Sequence, residues 1–415
     1  MVAISMWVWG AGTTAKQLIG QEIKMFKETH QDLDIELTLI PWQDAWYRIM
    51  KVANEKKGPD ILQVGSTWNG TLAHMGILKD ITNEVYDANI VADTFVPASW
   101  SSCLFPGSER ISSLPWFADI RAMYYRTDVF NELGLSAESL SDWTSFENAC
   151  RKIKSKKAKL EKPIEVFGVS GEKDTLLLHN IAPWIWGAGG DFISPDGKKA
   201  IFNSEEALNG IAFYMRLISN GYIPPSALKL KTEEIAREAF TEGTYAISVP
   251  GPLSDSSPLD PGHHNYRAEI AENSMASLFP AGTAGRFVFC GGSNLAVTNF
   301  SPYPRNAWAW EFIKFLTSYD SQSRYPKKLN MFPSLLESLD ESLMEQKIEW
   351  RGLRDLWRYG RAFPNVTAWG EIESLLIDCF GNIFARIQEG NHDFDLVKAD
   401  LDKAAAEVNA LLAKE

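Results

Sequence analysis

The first 65 residues alternate between short apolar strands and longer helices, and this alternation constrains the fold more than any other feature of the chain. Strand character over Ala3–Trp9, Asp34–Ile40 and Asp60–Val64 is separated by helical periodicity through Leu18–Phe26 and Gln43–Lys56. Strands that alternate with helices form a parallel sheet whose faces the helices cover. The sequence therefore predicts an α/β domain at the amino terminus.

Tryptophan occurs at the end of each of these predicted strands. Trp9 closes the first strand, Trp42 follows the second, and Gly65-Ser66-Thr67-Trp68 follows the third. Ligands of open α/β sheets bind outside the carboxyl ends of the strands. We therefore expect a binding site at this edge of the sheet.

The remainder of the chain predicts a second domain. A chain of 415 residues is too long for one ordinary core. Leu114–Phe130 is strand-like and Asp142 is a candidate helix N-cap, whereas Phe287–Phe289 and Asn294–Val297 indicate two further strands. Because no low-complexity linker divides the chain, we expect it to cross between the domains more than once.

Charge and cysteine content exclude several classes of protein. A net charge of -12 argues against nucleic acid as a partner, since phosphate-binding surfaces require clustered Lys and Arg. The four cysteines form no CxxC pair, which gives no metal motif and leaves a single disulfide open. No apolar run reaches the roughly 18 residues of a membrane span, and no signal peptide precedes the first strand.

The fifteen tryptophans are the unusual feature of the composition. A flat indole can cover the C–H face of a pyranose ring, while polar side chains satisfy the hydroxyls around its rim. Trp42–Trp46, Trp116–Arg121 and Trp184–Asp191 combine aromatic and polar residues in this way. Core packing is the alternative for each tryptophan taken singly, but several at strand ends favour a sugar site.

Motifs for catalysis and for nucleotide binding are less specific than the tryptophan pattern. Gly10–Ala15 resembles a dinucleotide fingerprint, but the second strand ends without the acidic residue that would hold a ribose hydroxyl. The pair His263-His264 lies in a Pro/Gly-rich stretch typical of a loop rather than a metal site. Asp119 is the leading candidate for acid–base work in a glycoside-active enzyme, and its alternative role is to accept a hydrogen bond from a ligand hydroxyl.

Seven segments, taken in order, resemble the extracellular solute-binding proteins of ATP-driven carbohydrate importers. They run nearly from end to end of the chain: Pro41-Trp42 with Gly58–Ile61, Gly76–Ile81, Leu114-Pro115 with Tyr124–Phe130 and Gly134-Leu135, Phe240–Ile247, Gly291–Asn294 with Ala307–Ser318, Met331–Ser334, and Phe363–Asn365 with Trp369–Ile372. Ile247 departs from the methionine that is usual in the family pattern. The aromatic residues of the cleft vary between family members, so the ligand does not carry over.

The resemblance implies the type II periplasmic-binding-protein fold, two α/β lobes joined by a hinge that the chain crosses three times. We expect crossings near residues 116–120, 275–280 and 319–325. The lobes would then comprise residues 1–117 with 278–322, and residues 118–277 with 323–415, with the ligand cleft between them. It also implies an extracytoplasmic monomer, periplasmic or a cell-surface lipoprotein, that lacks catalysis, cofactor and metal, and whose partners are a sugar and the permease subunits of the importer.

The expected site draws on both lobes. From the first lobe we expect Trp9, Trp42, Trp46, Ser66, Trp68 and Asn294; from the hinge and second lobe we expect Trp116, Asp119, Arg121, Trp184, Trp186, Gly251 and Trp369. The indole-rich Trp184–Trp186 segment favours a di- or oligosaccharide over a single sugar ring. A non-sugar solute in the same fold and a glycoside-active enzyme stay open as alternatives.

Overall fold

A computed structural model describes residues 2–10, 13–160, 162–250, 259, 263–329, 331–345 and 355–414. Its strands are β1 (Val2–Trp9), β2 (Leu33–Ile40), β3 (Ile61–Gly65), β4 (Leu114–Ile120), β5 (Met123–Arg126), β6 (Glu165–Val169), β7 (Tyr245–Val249), β8 (Ser274–Ser277), β9 (Val288–Val297), β10 (Phe332–Pro333) and β11 (Gly360–Arg361). The three strands predicted at the amino terminus are confirmed.

Helices connect most of these strands. They are α1 (Thr13–Thr29), α2 (Trp42–Glu55), α3 (Asn69–His74), α4 (Thr82–Asp87), α5 (Pro97–Ser101), α6 (Thr127–Glu132), α7 (Trp143–Lys156), α8 (Thr175–Gly187), α9 (Glu205–Ser219), α10 (Thr232–Arg237), α11 (Ala268–Ala271), α12 (Arg305–Leu316), α13 (Tyr319–Lys328), α14 (Leu336–Glu345), α15 (Trp369–Gln388) and α16 (Phe394–Leu412). Asp142 caps α7 as expected, because its carboxylate accepts a hydrogen bond from the Ser145 N–H at 2.9 Å.

The chain divides into two compact units. Unit 1 comprises Met1–Asp119, Cys290–Glu345 and Asn365–Gly370, and unit 2 comprises Ile120–Phe289, Gln346–Pro364 and Glu371–Glu415. The chain therefore passes from one unit to the other after residues 119, 289, 345, 364 and 370.

The sheet of unit 1 has the strand order β10-β4-β9-β3-β1-β2. β1 pairs in parallel with both β2 and β3, as the alternation of strands and helices predicts. β9 runs antiparallel to β3, with Ile61 opposite Val297 and Gly65 opposite Ser293. The carboxyl ends of β1, β2 and β3 consequently lie at one edge of the sheet.

β9 is one continuous strand, whereas the sequence predicted two strands on either side of its glycine pair. Gly292 has a φ of +135°, and a β-carbon at this position would lie 2.1 Å from the carbonyl oxygen of Phe117 on β4. Glycine therefore lets the backbones of β9 and β4 approach closely, and the strand continues through it.

Unit 2 contains a four-stranded sheet with the order β6-β7-β5-β8. β6 and β7 are parallel, and β5 is antiparallel to both of its neighbours. In the same unit, β11 pairs in parallel with the start of β9 at Val288 and Phe289.

The unit boundaries differ from the predicted domains in their later segments. We expected the second crossing near residues 275–280, but β8 still pairs with β5 there, and the chain changes unit after Phe289. We expected the third crossing near residues 319–325, but α13 stays in unit 1. The guanidinium of Arg324 on α13 bonds both carboxylate oxygens of Glu22 on α1, at 3.2 and 2.9 Å.

Within the described ranges, no helix combines the length and the apolar character that a membrane span requires.

Candidate functional site

Three tryptophans lie in contact at the carboxyl edge of the unit 1 sheet. The ring of Trp68 lies 5.6 Å from that of Trp42 and 5.5 Å from that of Trp46, with interplanar angles of 62° and 57°. We call Trp42, Trp46 and Trp68 the indole cluster. The structure thus brings together three of the residues that the sequence predicts for the site.

Local sequence explains how α2 presents two of these rings. Pro41 follows β2 and precedes the first residue of α2, where proline is compatible with the start of a helix. Trp42 and Trp46 are four residues apart in α2 and therefore lie on the same helix face. Ala45 and Ile49 of the same helix are buried, which fixes α2 against the sheet.

Two glycines lie next to the rings, at distances where a β-carbon would be in ordinary van der Waals contact. A β-carbon on Gly65, the last residue of β3, would lie 3.4 Å from the indole of Trp68. A β-carbon on Gly370 would lie 3.5 Å from the indole of Trp46. The Trp68 N–H donates to the Gly65 carbonyl at 2.9 Å, so this ring is held by the turn that closes β3.

Part of the surface of the indole cluster is exposed and available to a ligand. Trp42 is 44% exposed, and Trp46, Trp68 and Ser66 are half-buried. The Ser66 N–H donates to the Gly292 carbonyl at 3.0 Å, which fixes the loop that carries this hydroxyl. The cluster therefore combines partly open aromatic surface with a nearby hydroxyl.

Trp9 and Asn294 lie beneath this edge, and the structure corrects the expectation that they are open to a ligand. Trp9 is buried, and its backbone N–H donates to Gln63 Oε1 at 2.8 Å, while Gln63 Nε2 donates to Ser293 Oγ at 2.7 Å. Asn294 is also buried, and its side chain donates to Ser102 Oγ at 3.0 Å. The Gln63 bonds link β1, β3 and β9, and the Asn294 bond links β9 to the end of α5. Trp9 belongs to the hydrophobic core against which Trp46 and Trp68 pack.

Trp116 lies in unit 1, within the predicted first lobe, whereas Trp369 lies in unit 1 rather than in the second lobe, and both are buried. The ring of Trp116 stacks on Tyr325 of α13, with 4.7 Å between ring centroids. A ring without an open face cannot stack on a ligand, so the structure corrects the expected role of both tryptophans. Trp116 instead helps to hold α13 in unit 1.

Trp184 and Trp186 lie inside unit 2, which likewise corrects their expected role. Trp184 is 1% exposed and packs against Trp143, Phe146, Phe213, Tyr214 and Phe279. The Trp186 indole N–H donates to Asp191 Oδ1 at 3.0 Å, and the Arg361 guanidinium lies over its ring at 5.3 Å. Arg361 also pairs with Asp191.

Arg121 and Asp119 lie on either side of the first passage between the units. Arg121 is buried and bonds His179, which stacks on Phe289 with 3.6 Å between ring centroids. Asp119 is half-buried. Burial, together with the negative charge of Asp119, raises the pKa of the Cys290 thiol to about 12. The charge of Asp119 therefore acts on Cys290, the residue at which the chain re-enters unit 1.

Gly251 lies outside the described residues. In the part of the chain that the structure describes, no three His, Cys, Asp or Glu side chains converge as metal ligands would.

Sequence reasoning did not single out Gly65 and Gly370 as neighbours of the cluster. Gly65 was noted only as part of a strand end, and the contact of Gly370 with Trp46 joins residues far apart in the chain. The Thr71 hydroxyl donates to the Thr367 carbonyl at 2.8 Å and fixes the segment that ends at Gly370. No local pattern in the sequence signals such a long-range contact.

Comparison with known proteins finds relatives over most of the chain. A "Probable ABC transporter-binding protein" of Deinococcus radiodurans is 24% identical over 78% of this chain and 73% of its own length. A solute-binding protein of Thermotoga lettingae, solved with alpha-D-tagatose, superposes with a TM-score of 0.78 at 22% identity and covers 99% of each chain. The sugar-binding protein MalE of Xanthomonas citri gives a TM-score of 0.81 at 18% identity, covering 100% of this chain and 98% of its own.

These likenesses establish that the chain has the α/β, two-lobed fold of the periplasmic binding proteins. The family model that describes the bacterial extracellular solute-binding proteins matches residues 21–350 of the 415. The chain therefore belongs to the family of bacterial extracellular solute-binding proteins.

Proposed function

We propose that this protein binds a carbohydrate, with a di- or oligosaccharide as the expected ligand, and delivers it to the permease of an ATP-driven importer. The observation that carries the proposal is the indole cluster, which lies at the carboxyl ends of the parallel strands of unit 1. This is the edge at which α/β sheets bind ligands.

The chemistry of the cluster suits a sugar ring. Indole surfaces cover the C–H face of a pyranose, and partly exposed Trp42 has surface to offer. The Ser66 hydroxyl nearby both donates and accepts hydrogen bonds, as ring hydroxyls require. Asp119 and Gly251 stay as predicted contributors of further polar contacts, whereas Arg121 is buried and bonds His179.

Family membership supports the remaining parts of the proposal. The family comprises binding proteins rather than enzymes and is described as extracellular, and one relative is described as an ABC transporter-binding protein. We extend this to a permease partner, to a location at the cell surface or in the periplasm, to a monomeric receptor, and to the absence of catalysis. A lipid anchor belongs to the same proposal.

Isothermal titration calorimetry of the purified protein against tagatose, maltose and longer malto-oligosaccharides tests the proposal. Micromolar binding corresponds to about -8 kcal/mol. At a ligand concentration about 100-fold above the dissociation constant, the folded state should gain about 2.7 kcal/mol, visible as a rise in melting temperature. The sugar should be recovered unchanged after incubation. Binding of none of a broad sugar panel, or release of a cleaved product, would overturn the proposal.

A further inference from the structure

Unit 1 contains a cavity of about 420 Å³ that the indole cluster does not share. Its polar and ring-bearing lining includes His74, Asp80, Phe105, Arg110, Asn299 and Thr367. A volume of this size lies within the range of small-molecule sites, which is about 300–1,000 Å³. We call this space the Arg110 cavity.

The Arg110 cavity lies at the opposite end of β3 from Trp68. Leu78 lines the cavity and forms a bridge with Thr298, which follows the carboxyl end of β9. Because β9 is antiparallel to β3, this is the end at which β3 begins. Four residue steps along β3 correspond to about 13 Å, and no tryptophan of the indole cluster lines the cavity.

Hydrogen bonds hold the walls of the cavity. Asn299 Nδ2 donates to the carbonyls of Gly76 and Leu78, at 2.9 and 3.0 Å. The Phe105 N–H donates to the Arg110 carbonyl at 2.9 Å. The guanidinium of Arg110 in turn lies over the Phe105 ring, 4.5 Å from its centroid. The site is therefore largely formed before any ligand enters.

Charges within the cavity are balanced, which indicates the class of ligand. Arg110 Nη1 lies 3.4 Å from Asp80 Oδ2, while Asp80 Oδ1 accepts hydrogen bonds from the N–H and hydroxyl of Thr82. An anion would meet the Asp80 carboxylate, and a cation would meet the Arg110 guanidinium. A neutral ligand with many hydroxyls can accept from Arg110 and donate to Asp80 without breaking the pair.

We propose that the Arg110 cavity is a second, weaker carbohydrate site, which takes a neutral mono- or disaccharide. None of the three tryptophans of the indole cluster lines it, although Ala73 and Leu78 belong to the hydrophobic core against which Trp46 and Trp68 pack. The Arg110 side chain is 60% exposed, so its hydrogen bonds compete with water, and we expect a dissociation constant on the order of 1 mM.

Methyl-detected NMR of the full chain, titrated with maltose, tests this proposal. Saturation at millimolar maltose should shift the methyl signals of Ala73 and Leu78, which line the cavity. Arg110→Met keeps the apolar stem of the side chain but removes its hydrogen-bond donors. It should raise the dissociation constant of this millimolar maltose binding at least about 10-fold.

Arg358→Met is the matched control. Arg358 also lies over an aromatic ring, that of Trp357 at 4.8 Å, and also pairs with a carboxylate, that of Asp355 at 2.8 Å, but it lies in unit 2. This variant should leave the millimolar event unchanged. The proposal is overturned if no saturable shift occurs at Ala73 and Leu78, if Arg110→Met has no effect, or if acetate or glycine saturates the cavity where maltose does not.

The outcome separates this proposal from that of the indole cluster. A Trp42→Ala/Trp68→Ala double variant should lose tight binding and keep the millimolar event. Tight binding without the millimolar event refutes the second site alone. A millimolar event without any tighter one supports the second site and refutes the proposed role of the indole cluster.

Discussion

Arg121 donates a hydrogen bond from Nη2 to Nδ1 of His179 at 3.1 Å, in the interior of unit 2. A guanidinium can only donate, so His179 accepts at Nδ1 and its ring is neutral. Burial lowers the pKa of His179 well below its ordinary value, and the charge of Arg121 lowers it further. The pair therefore couples the folded state to pH.

Acidification should destabilise the protein through His179. In the unfolded chain this histidine binds a proton with a pKa of about 6.5, whereas the folded chain excludes that proton. Its stabilising contribution is therefore complete above about pH 6.5 and is lost as the pH falls below it. We expect the free energy of unfolding to drop through this group as the pH falls from ~7.5 to ~5.5.

Urea unfolding of wild type and His179→Gln across this pH range measures the effect. Glutamine can still accept from Arg121 but does not titrate, so the variant should lack this part of the pH dependence. Other titrating groups act on both proteins and cancel in the difference. Parallel pH profiles for the two proteins would contradict the prediction.

Loss of a ring from the indole cluster should weaken sugar binding. Trp42→Ala and Trp68→Ala should each cost about 2 kcal/mol, which is roughly a 30-fold rise in the dissociation constant, because each removes a stacking surface. Calorimetry with the best sugar of the panel measures the change. Tyr86→Ala, at an exposed aromatic residue of α4, is the control and should bind as wild type does. Unchanged affinity in both tryptophan variants would remove the cluster from the site.

Helix character explains which tryptophans could be placed from sequence. α2 has polar residues between its apolar ones (WQDAWYRIMKVANE), and such an amphipathic helix leaves part of its surface open. Its Trp42 and Trp46 were predicted at a ligand edge and are found in one cluster there. α8 is apolar on nearly every side (TLLLHNIAPWIWG), and a helix of that kind is buried all round. Trp184 and Trp186 lie in the last turns of α8. They were predicted in the site because the prediction rested on the number of tryptophans and not on the apolar character of the helix that carries them.

The domain boundaries show where local patterns carry too little information. The order of strands and helices in the first 65 residues follows from periodicity alone, and the structure confirms it. The assignment of α13 to unit 1 depends instead on its contacts with Glu22 and Trp116, which are far from it in the sequence. Contacts of this kind arise from tertiary packing and leave no periodic signal in the sequence.

Alanine should have opposite effects at two glycines of unit 1. At Gly292 a β-carbon would lie 2.1 Å from the Phe117 carbonyl oxygen, and φ is +135°, so Gly292→Ala should destabilise the protein by about 2–4 kcal/mol. At Gly20, inside α1, nothing lies within 4 Å of the added carbon, and Gly20→Ala should stabilise by about 0.5–1 kcal/mol. Urea unfolding measures both. Equal losses at the two sites would refute the close approach of β9 and β4.

The ion pair between Glu22 and Arg324 should matter mainly because Glu22 is buried. Arg324→Met leaves the carboxylate in the interior with a hydrogen bond from the Ser321 hydroxyl, at 3.0 Å, and should cost about 2–3 kcal/mol. Adding Glu22→Leu to that variant should recover most of the loss, because no charge then stays buried.

Lys314→Met serves as the control for this pair. Lys314 pairs with Glu311 at 2.9 Å on the surface of α12, and an exposed pair contributes under about 1 kcal/mol. Urea unfolding of the single and double variants supplies the comparison. If Glu22→Leu/Arg324→Met unfolds as easily as Arg324→Met alone, then the loss comes from the packing of α13 on α1 and not from an unpaired charge.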